Sequence, residues 1–296
     1  MARIPAGARL EFRSRAESVD ITLALSDRHE LAPPTTSAAV SVWRGDEFVG
    51  AIDMPADSGP VTVATVPGAE YTVFLPDAFL PEVTAVVPHG GTLEPSPARP
   101  RWLAYGDSIT QGWSASDPAL AYPAIAARLD HLDVHNLGFA GAARGEIPVA
   151  EHLAATPADV ITLAFGTNNW SAIPTGAAHL AAILRDFVSV IRSAQPDTPI
   201  VVLSPIIRPD AENRPNVMGA SLVQLRSALE ATASELAADD LALFLIKGRS
   251  LVAPDDLVDG IHPGDHGHRR IADALVPVLD AVLARAGSAP VAEARA

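Results

Sequence analysis

The rhythm of apolar residues changes once along this chain, at Arg101, and no single fold class accommodates both sides of the change. Before it, short runs alternate with period two: Arg9 to Phe12, Val19 to Leu25, Ala39 to Trp43, Phe48 to Ile52, Val61 to Val66, Tyr71 to Leu75 and Val83 to Val87. Runs rich in Val, Ile, Thr and Tyr and closed by Pro, Gly or Asp read as about seven antiparallel strands of a β-sandwich or jelly roll. From His89 to Pro100 the periodicity lapses and turn formers gather (Gly90, Gly91, Pro95, Pro97, Pro100), which is the composition of an inter-domain linker.

Beyond Arg101, apolar runs of strand length alternate with longer stretches of helical spacing. Trp102 to Tyr105, Val134 to Leu137, Val160 to Phe165, Ile200 to Leu203 and Leu241 to Ile246 read as five buried parallel strands. Between them Leu180, Ile183, Leu184, Phe187, Val188 and Ile191 share one helical face, as do Leu222, Leu225 and Leu229, and a last helix runs from about His266 to the Leu279 region. The expectation is an α/β fold, a three-layer α/β/α sandwich, preceded by the β-sandwich. The 296 residues suit two domains. We place them at 1–98 (accessory β-sandwich) and 99–288 (α/β domain), with a flexible tail at 289–296.

Composition removes several function classes. With 48% apolar and 19% charged residues the chain is a packed globular protein. A net charge of -14 repels a nucleic-acid backbone, so no nucleic-acid partner is expected. The absence of Cys excludes thiolate nucleophiles, disulfides and Cys-ligated metal sites. Met1 to Leu10 has no apolar signal core, and no stretch approaches the roughly 18 uninterrupted apolar residues of a membrane span. A cytoplasmic protein without a membrane partner is the expectation, and the sequence leaves its oligomeric state open.

In an open α/β sheet, ligands bind beyond the carboxyl ends of the strands. Those ends are polar here. The first strand runs into Gly106-Asp107-Ser108-Ile109-Thr110, the second carries Asn136-Leu137-Gly138-Phe139-Ala140-Gly141, the third is followed by Gly166-Thr167-Asn168-Asn169, and Asp259-Gly260-Ile261-His262-Pro263 follows the fifth. A serine hydroxyl attacks an ester once an imidazole takes its proton, a carboxylate fixes that imidazole, and donors await the oxyanion. Ser108, His262 and Asp259 can supply the first three groups. The Ser108 N–H, the Gly141 N–H and the Asn168 carboxamide can supply the donors. Read singly, Gly-Asp-Ser is an ordinary strand-to-helix turn in which Asp107 or Ser108 caps the helix. Asp107, Trp113, Trp170 and Arg208 are candidate substrate contacts, with Trp113 and Trp170 equally at home in the core. The stretch Ser204 to Pro215 is the candidate specificity loop. His266 and His268 read as polar residues at a helix start, so no metal or other cofactor is called for.

Taken together, these four blocks resemble the SGNH/GDSL hydrolase family. Gly106 to Thr110 is similar to its first block with the nucleophilic serine, and Gly141 to its oxyanion glycine. Gly166 to Asn169 is similar to its third block, where the common form has Asp at the place of Asn169, so Asn169 receives no role. Asp259 to His262 is similar to its last block. The resemblance spans about residues 101 to 286 and implies a flavodoxin-like sheet and an acyl-enzyme serine hydrolase. Members with an N-terminal β-sandwich include acetyl esterases of carbohydrates, and the wording of Asn136 to Gly141 leans toward them. By that analogy the substrate is a small-molecule or carbohydrate ester with a short acyl group, O-acetyl the expected one, and the sandwich lends residues to the cleft. Two rivals stand beside this reading: an acyltransferase using the same residues in small-molecule biosynthesis, and a carbohydrate-binding or scaffold protein whose α/β half is silent.

Overall fold

The computed structural model describes residues 4–30, 38–55 and 59–288. The expected tail at 289–296 lies outside them. Two antiparallel sheets face each other in the N-terminal half. One contains β1 (Arg9–Ser14), β3 (Ala39–Arg44), β4 (Glu47–Asp53), β6 (Glu70–Phe74) and β8 (Leu93–Pro95), in the order β4-β3-β6-β1-β8. The other contains β2 (Ser18–Ala24), β5 (Val61–Ala64) and β7 (Glu82–His89), in the order β5-β2-β7. Period two decides which side chains meet: Val19, Ile21 and Leu23 of β2 turn inward with Val61 and Val63 of β5. Phe12, Val40, Val42, Tyr71 and Val73 close the core from the facing sheet. The region expected to be pure linker contributes β8. Its backbone pairs with β1, Leu93 opposite Ser14 and Pro95 opposite Phe12, and Pro is tolerated because β8 is an edge strand.

In the C-terminal half β9 (Arg101–Gly106), β10 (Asp133–Gly138), β11 (Val160–Ala164), β12 (Ile200–Leu203) and β13 (Leu243–Ile246) form one parallel sheet, in the order β10-β9-β11-β12-β13. The helices are α1 (Ser108–Gln111), α2 (Tyr122–Leu129), α3 (Ile147–Ala155), α4 (Thr167–Ser171), α5 (Ala177–Ala194), α6 (Leu222–Asp239) and α7 (Asp265–Ser288). On α5, Leu180, Leu184, Phe187, Val188 and Ile191 are buried, the face that their spacing predicts. Each such side chain contributes about 1.5–3 kcal/mol on burial. Among the described residues no helix is long and apolar enough to cross a membrane.

The strand order fixes where a ligand can bind. The chain leaves β9 for β10 on one side and returns past β9 to β11 on the other, so the topological switch lies at the carboxyl end of β9. Ser108 begins the helix that follows it.

The sandwich leans on the flank of this sheet. The Arg9 guanidinium donates to the Val134 carbonyl (2.9 Å) and to Asp133 (3.2 Å), and Ser41 donates to Asp117 (2.8 Å). Phe74 packs on Ala119 and Ala124, and the Arg128 guanidinium stacks 3.9 Å from the Trp43 ring centroid.

Candidate active site

Close backbone approaches build the site before any candidate catalytic side chain enters it. Asn136 donates from Nδ2 to the Thr110 carbonyl (2.9 Å) and accepts the Gly138 N–H (3.0 Å), tying the end of β10 to α1. A Cβ at Gly138 would sit 2.1 Å from the Gln111 main-chain nitrogen, so only glycine permits this contact. Gly141 has φ +70°, the left-handed region that favours glycine, and turns the loop back over α1. Asp107 caps α1: its Oδ1 accepts the Ile109 N–H at 2.9 Å.

At that turn three groups from distant parts of the chain form one hydrogen-bonded line. The Asp259 carboxylate can only accept, so the His262 Nδ1–H donates to its Oδ2 (2.7 Å), and Nε2 is left to accept from the Ser108 hydroxyl (2.8 Å). The other Asp259 oxygen accepts main-chain N–H groups of Ile261 (3.0 Å) and His262 (2.8 Å), which locks the loop that carries the imidazole. Partial burial works against the charge on Asp259. The bonds from the His262 ring and main chain, the nearby imidazole and the Ile261 N–H outweigh it and hold the carboxyl below its usual range.

Around Ser108 opens a cleft of about 250 Å³, bordered by Trp113, Ala140, Gly141, Asn168, Arg208 and Ile261. Asn168 is buried, no described residue accepts from its Nδ2, and its Oδ1 is buried without a partner. The Trp113 ring lies 5.8 Å from the His262 ring. Of the expected substrate contacts, Trp113 and Arg208 line the cleft. Trp170 stands behind Arg208, its ring 4.8 Å from the guanidinium and its indole N–H on the Arg214 carbonyl (2.9 Å). Asp107 lies beneath the floor at 5% exposure. Burial pushes its carboxyl up to about 6 against the Ile109 N–H, His262 and Arg208, which favour the charge.

The described residues that line the cleft all follow Arg101, so the described part of the sandwich lends none of them. It stands behind Trp113 instead: Ile4, Pro5, Asp77 and Ala78 enclose a small hollow with Gln111, Gly112, Trp113 and Pro118. Packing on α2 and the start of β10 holds it to that flank.

Two residues do more than their sequence context implies. Asn169, 1% exposed, donates from Nδ2 to the Arg144 carbonyl (3.3 Å) and to Thr175 (3.4 Å). It therefore struts the loop that carries Gly141. The same loop is held by Glu146, which accepts the Tyr105 hydroxyl (2.8 Å) and the Arg144 N–H (3.0 Å). His268 lies near the start of α7, as expected, and is fully buried there. Its Nδ1 accepts the Tyr122 N–H (3.3 Å) and its Nε2–H donates to the Trp113 carbonyl (3.4 Å). Burial holds it neutral, its pKa lowered to about 4. His266 donates to Asp256 (2.7 Å). Among the described residues no three His, Asp or Glu side chains converge as a metal site would require.

A family model described as "GDSL-like Lipase/Acylhydrolase family" matches residues 101–280. Among solved structures, a salicylyl-acyltransferase from a tetracycline biosynthetic pathway is similar at 25% identity and a TM-score of 0.81, over 97% of this chain and 84% of that one. A family two carbohydrate esterase from Clostridium thermocellum, in complex with cellohexaose, is similar in fold at 14% identity and a TM-score of 0.71, over 95% of this chain and 94% of that one. A family two carbohydrate esterase from Cellvibrio japonicus shares the fold at 16% identity and a TM-score of 0.64, over 95% and 90%. No curated protein matches the sequence.

Proposed function

We propose, since the chain belongs to the GDSL-like lipase/acylhydrolase family and so to a family that acts on esters, that it is a serine esterase for short-chain acyl esters, O-acetyl esters among them. The line from Ser108 through His262 to Asp259, with distances of 2.8 and 2.7 Å, is the observation that carries this reading.

In the proposed sequence Ser108 Oγ attacks the ester carbonyl carbon while His262 Nε2 takes its proton. Asp259 keeps the imidazole in the receptive tautomer and stabilises the imidazolium. The Ser108 and Gly141 N–H groups and the Asn168 carboxamide donate to the oxyanion, in a setting partly shielded from water where such donors act strongly. Collapse of the tetrahedral intermediate expels the alcohol, which receives the proton from His262. Water then repeats the attack on the acyl-serine and releases the acid. A cleft of about 250 Å³ with Trp113 and Ile261 in its wall favours small acyl groups.

Replacing Ser108 with Ala is expected to lower turnover of an aryl acetate by a factor on the order of a thousand or more, with the far-ultraviolet circular dichroism unchanged. A variant as active as the wild type refutes the assignment.

Likeness to the salicylyl-acyltransferase over 97% of this chain favours a second reading, in which an alcohol displaces the acyl group in place of water. Product analysis with candidate alcohols separates the two: ester products outrunning free acid in dilute aqueous alcohol select transfer.

A further inference from the structure

Among the described residues lining the cleft, Arg208 alone carries a permanent charge, and none of them is Asp or Glu. The contrast is with a chain of 35 Asp plus Glu against 21 Lys plus Arg. A random sampling of this surface would give an acidic wall.

Arg208 is held by a buried scaffold. Its main-chain N–H donates to Glu212 (3.1 Å), and its carbonyl accepts the N–H groups of Ala211 and Glu212, each at 3.0 Å. Glu212 is clamped in turn by Arg226 at 2.6 and 3.0 Å, and Arg226 also donates to the carbonyls of Pro205 and Ile206. The guanidinium lies over the Trp170 ring. Asp210 takes its Nε (2.9 Å) and Nη2 (3.3 Å), and Nη1 is bonded to no described residue. The Arg208 side chain is 10% exposed and that of Asp210 is 50% exposed, so the counter-ion sits toward solvent, where it is screened, and the cation sits in the wall.

Arg208 follows β12, one strand beyond Asn168, which follows β11. One strand spacing is about 4.8 Å, so a substituent a few bonds from the scissile carbonyl comes within reach. A guanidinium presents its N–H groups in the plane of a carboxylate, whereas a plain alkyl group leaves them without a partner.

We propose that Arg208 selects esters bearing a carboxylate a few bonds from the scissile carbonyl, on either the acyl or the alcohol side. This deepens the esterase reading and rests on it.

Two matched pairs of esters test it. 4-Nitrophenyl hemisuccinate against its methyl ester places the charge on the acyl side, and 3-carboxyphenyl acetate against its methyl ester places it on the alcohol side. In one pair the wild type is expected to favour the anion by roughly ten- to a hundredfold in kcat/KM, and that pair identifies the side. Arg208→Gln is expected to bring the ratio close to one. Asp210→Asn, at a half-exposed position, is expected to raise it, and it serves as the second variant should Arg208→Gln fold poorly. Turnover of both pairs with wild-type ratios near one overturns the proposal and leaves the esterase intact. A ratio that survives Arg208→Gln, or falls in Asp210→Asn, overturns it too. No turnover of any ester and no fluorophosphonate adduct on Ser108 removes the esterase reading and this proposal together.

Discussion

In the N-terminal sandwich the inward positions are Val19, Ile21, Leu23, Val61 and Val63, and charges keep to the rim, where Arg9 pairs with Glu11 and Arg99 with Glu70. The α/β half instead gathers Asp107 (5% exposed), Ser108 (7%), Asn168 (6%) and Asn169 (1%) at a single edge of its sheet. Two of its buried oxygens there, Asn168 Oδ1 and Asn169 Oδ1, accept no hydrogen bond from any described residue. Each such group costs about 1–3 kcal/mol. On the proposed mechanism, stability is conceded where hydroxyl, imidazole and amide must stay available to a substrate, beside a half built mainly by apolar burial.

The largest effects should come from breaking that edge. His262→Ala is expected to lower turnover on an aryl acetate at least a thousandfold while the thermal midpoint holds or rises, because a group selected for chemistry is not selected for stability. Asp259→Asn should be one to two orders of magnitude less damaging, since its carboxylate acts through the imidazole. A reversed ranking would count against both roles.

The sandwich should respond in the opposite sense. Leu23→Ala, at a position 1% exposed, is expected to cost about 2–5 kcal/mol in urea unfolding. Its kcat/KM, measured well below the new melting temperature, should match the wild type, because the described residues that wall the cleft all lie beyond Arg101. A fall in kcat/KM of the folded variant would show that the sandwich shapes the cleft.

A pH-dependent effect on stability concerns Asp77, the exception to the sandwich's apolar interior. It accepts the N–H groups of Gly7 (2.7 Å) and Ala8 (3.3 Å), and burial pushes its carboxyl up to about 8 from an ordinary 3.8. Between those values the folded chain holds a proton that the unfolded chain releases. Stability from this group is therefore complete below about pH 4 and declines as pH rises toward 8, by up to about 1.4 kcal/mol per unit. Asp107, pushed up to about 6, acts in the same sense over the lower part of that range. His268, lowered to about 4 from 6.5, acts in the opposite sense between those values. Asp77→Asn should flatten the decline seen in urea midpoints between pH 6 and 8. Equal slopes in wild type and variant would assign the decline to other groups.

The sequence conveyed the elements of both halves well because their periods differ. The runs from Trp102 to Ile246 are too apolar for anything but a sheet covered on both faces, and the alternation of Val19, Ile21 and Leu23 marks one buried face. The strand order, with β9 between β10 and β11, has no local signature. Pro95 and its neighbours disguised β8, since residues that favour turns also serve on an edge. At the candidate site, the meeting of Ser108, His262 and Asp259 could be anticipated because the proposed chemistry dictates residue types and spacing. Asn169 was not legible, because a strut to the Arg144 carbonyl can be built from any short donor. His268 was not, because an imidazole buried between Tyr122 and Trp113 is spelled like one in water.

Ser108 and His262 stand 154 positions apart in the chain. During synthesis the proposed nucleophile leaves the ribosome long before its proposed base, and a product terminated anywhere ahead of Asp259 carries a serine without its imidazole partner. On the proposed mechanism, nascent and prematurely stopped chains are therefore inert toward esters, and the hydrogen-bonded line is complete only once the loop that carries Asp259 and His262 is in place.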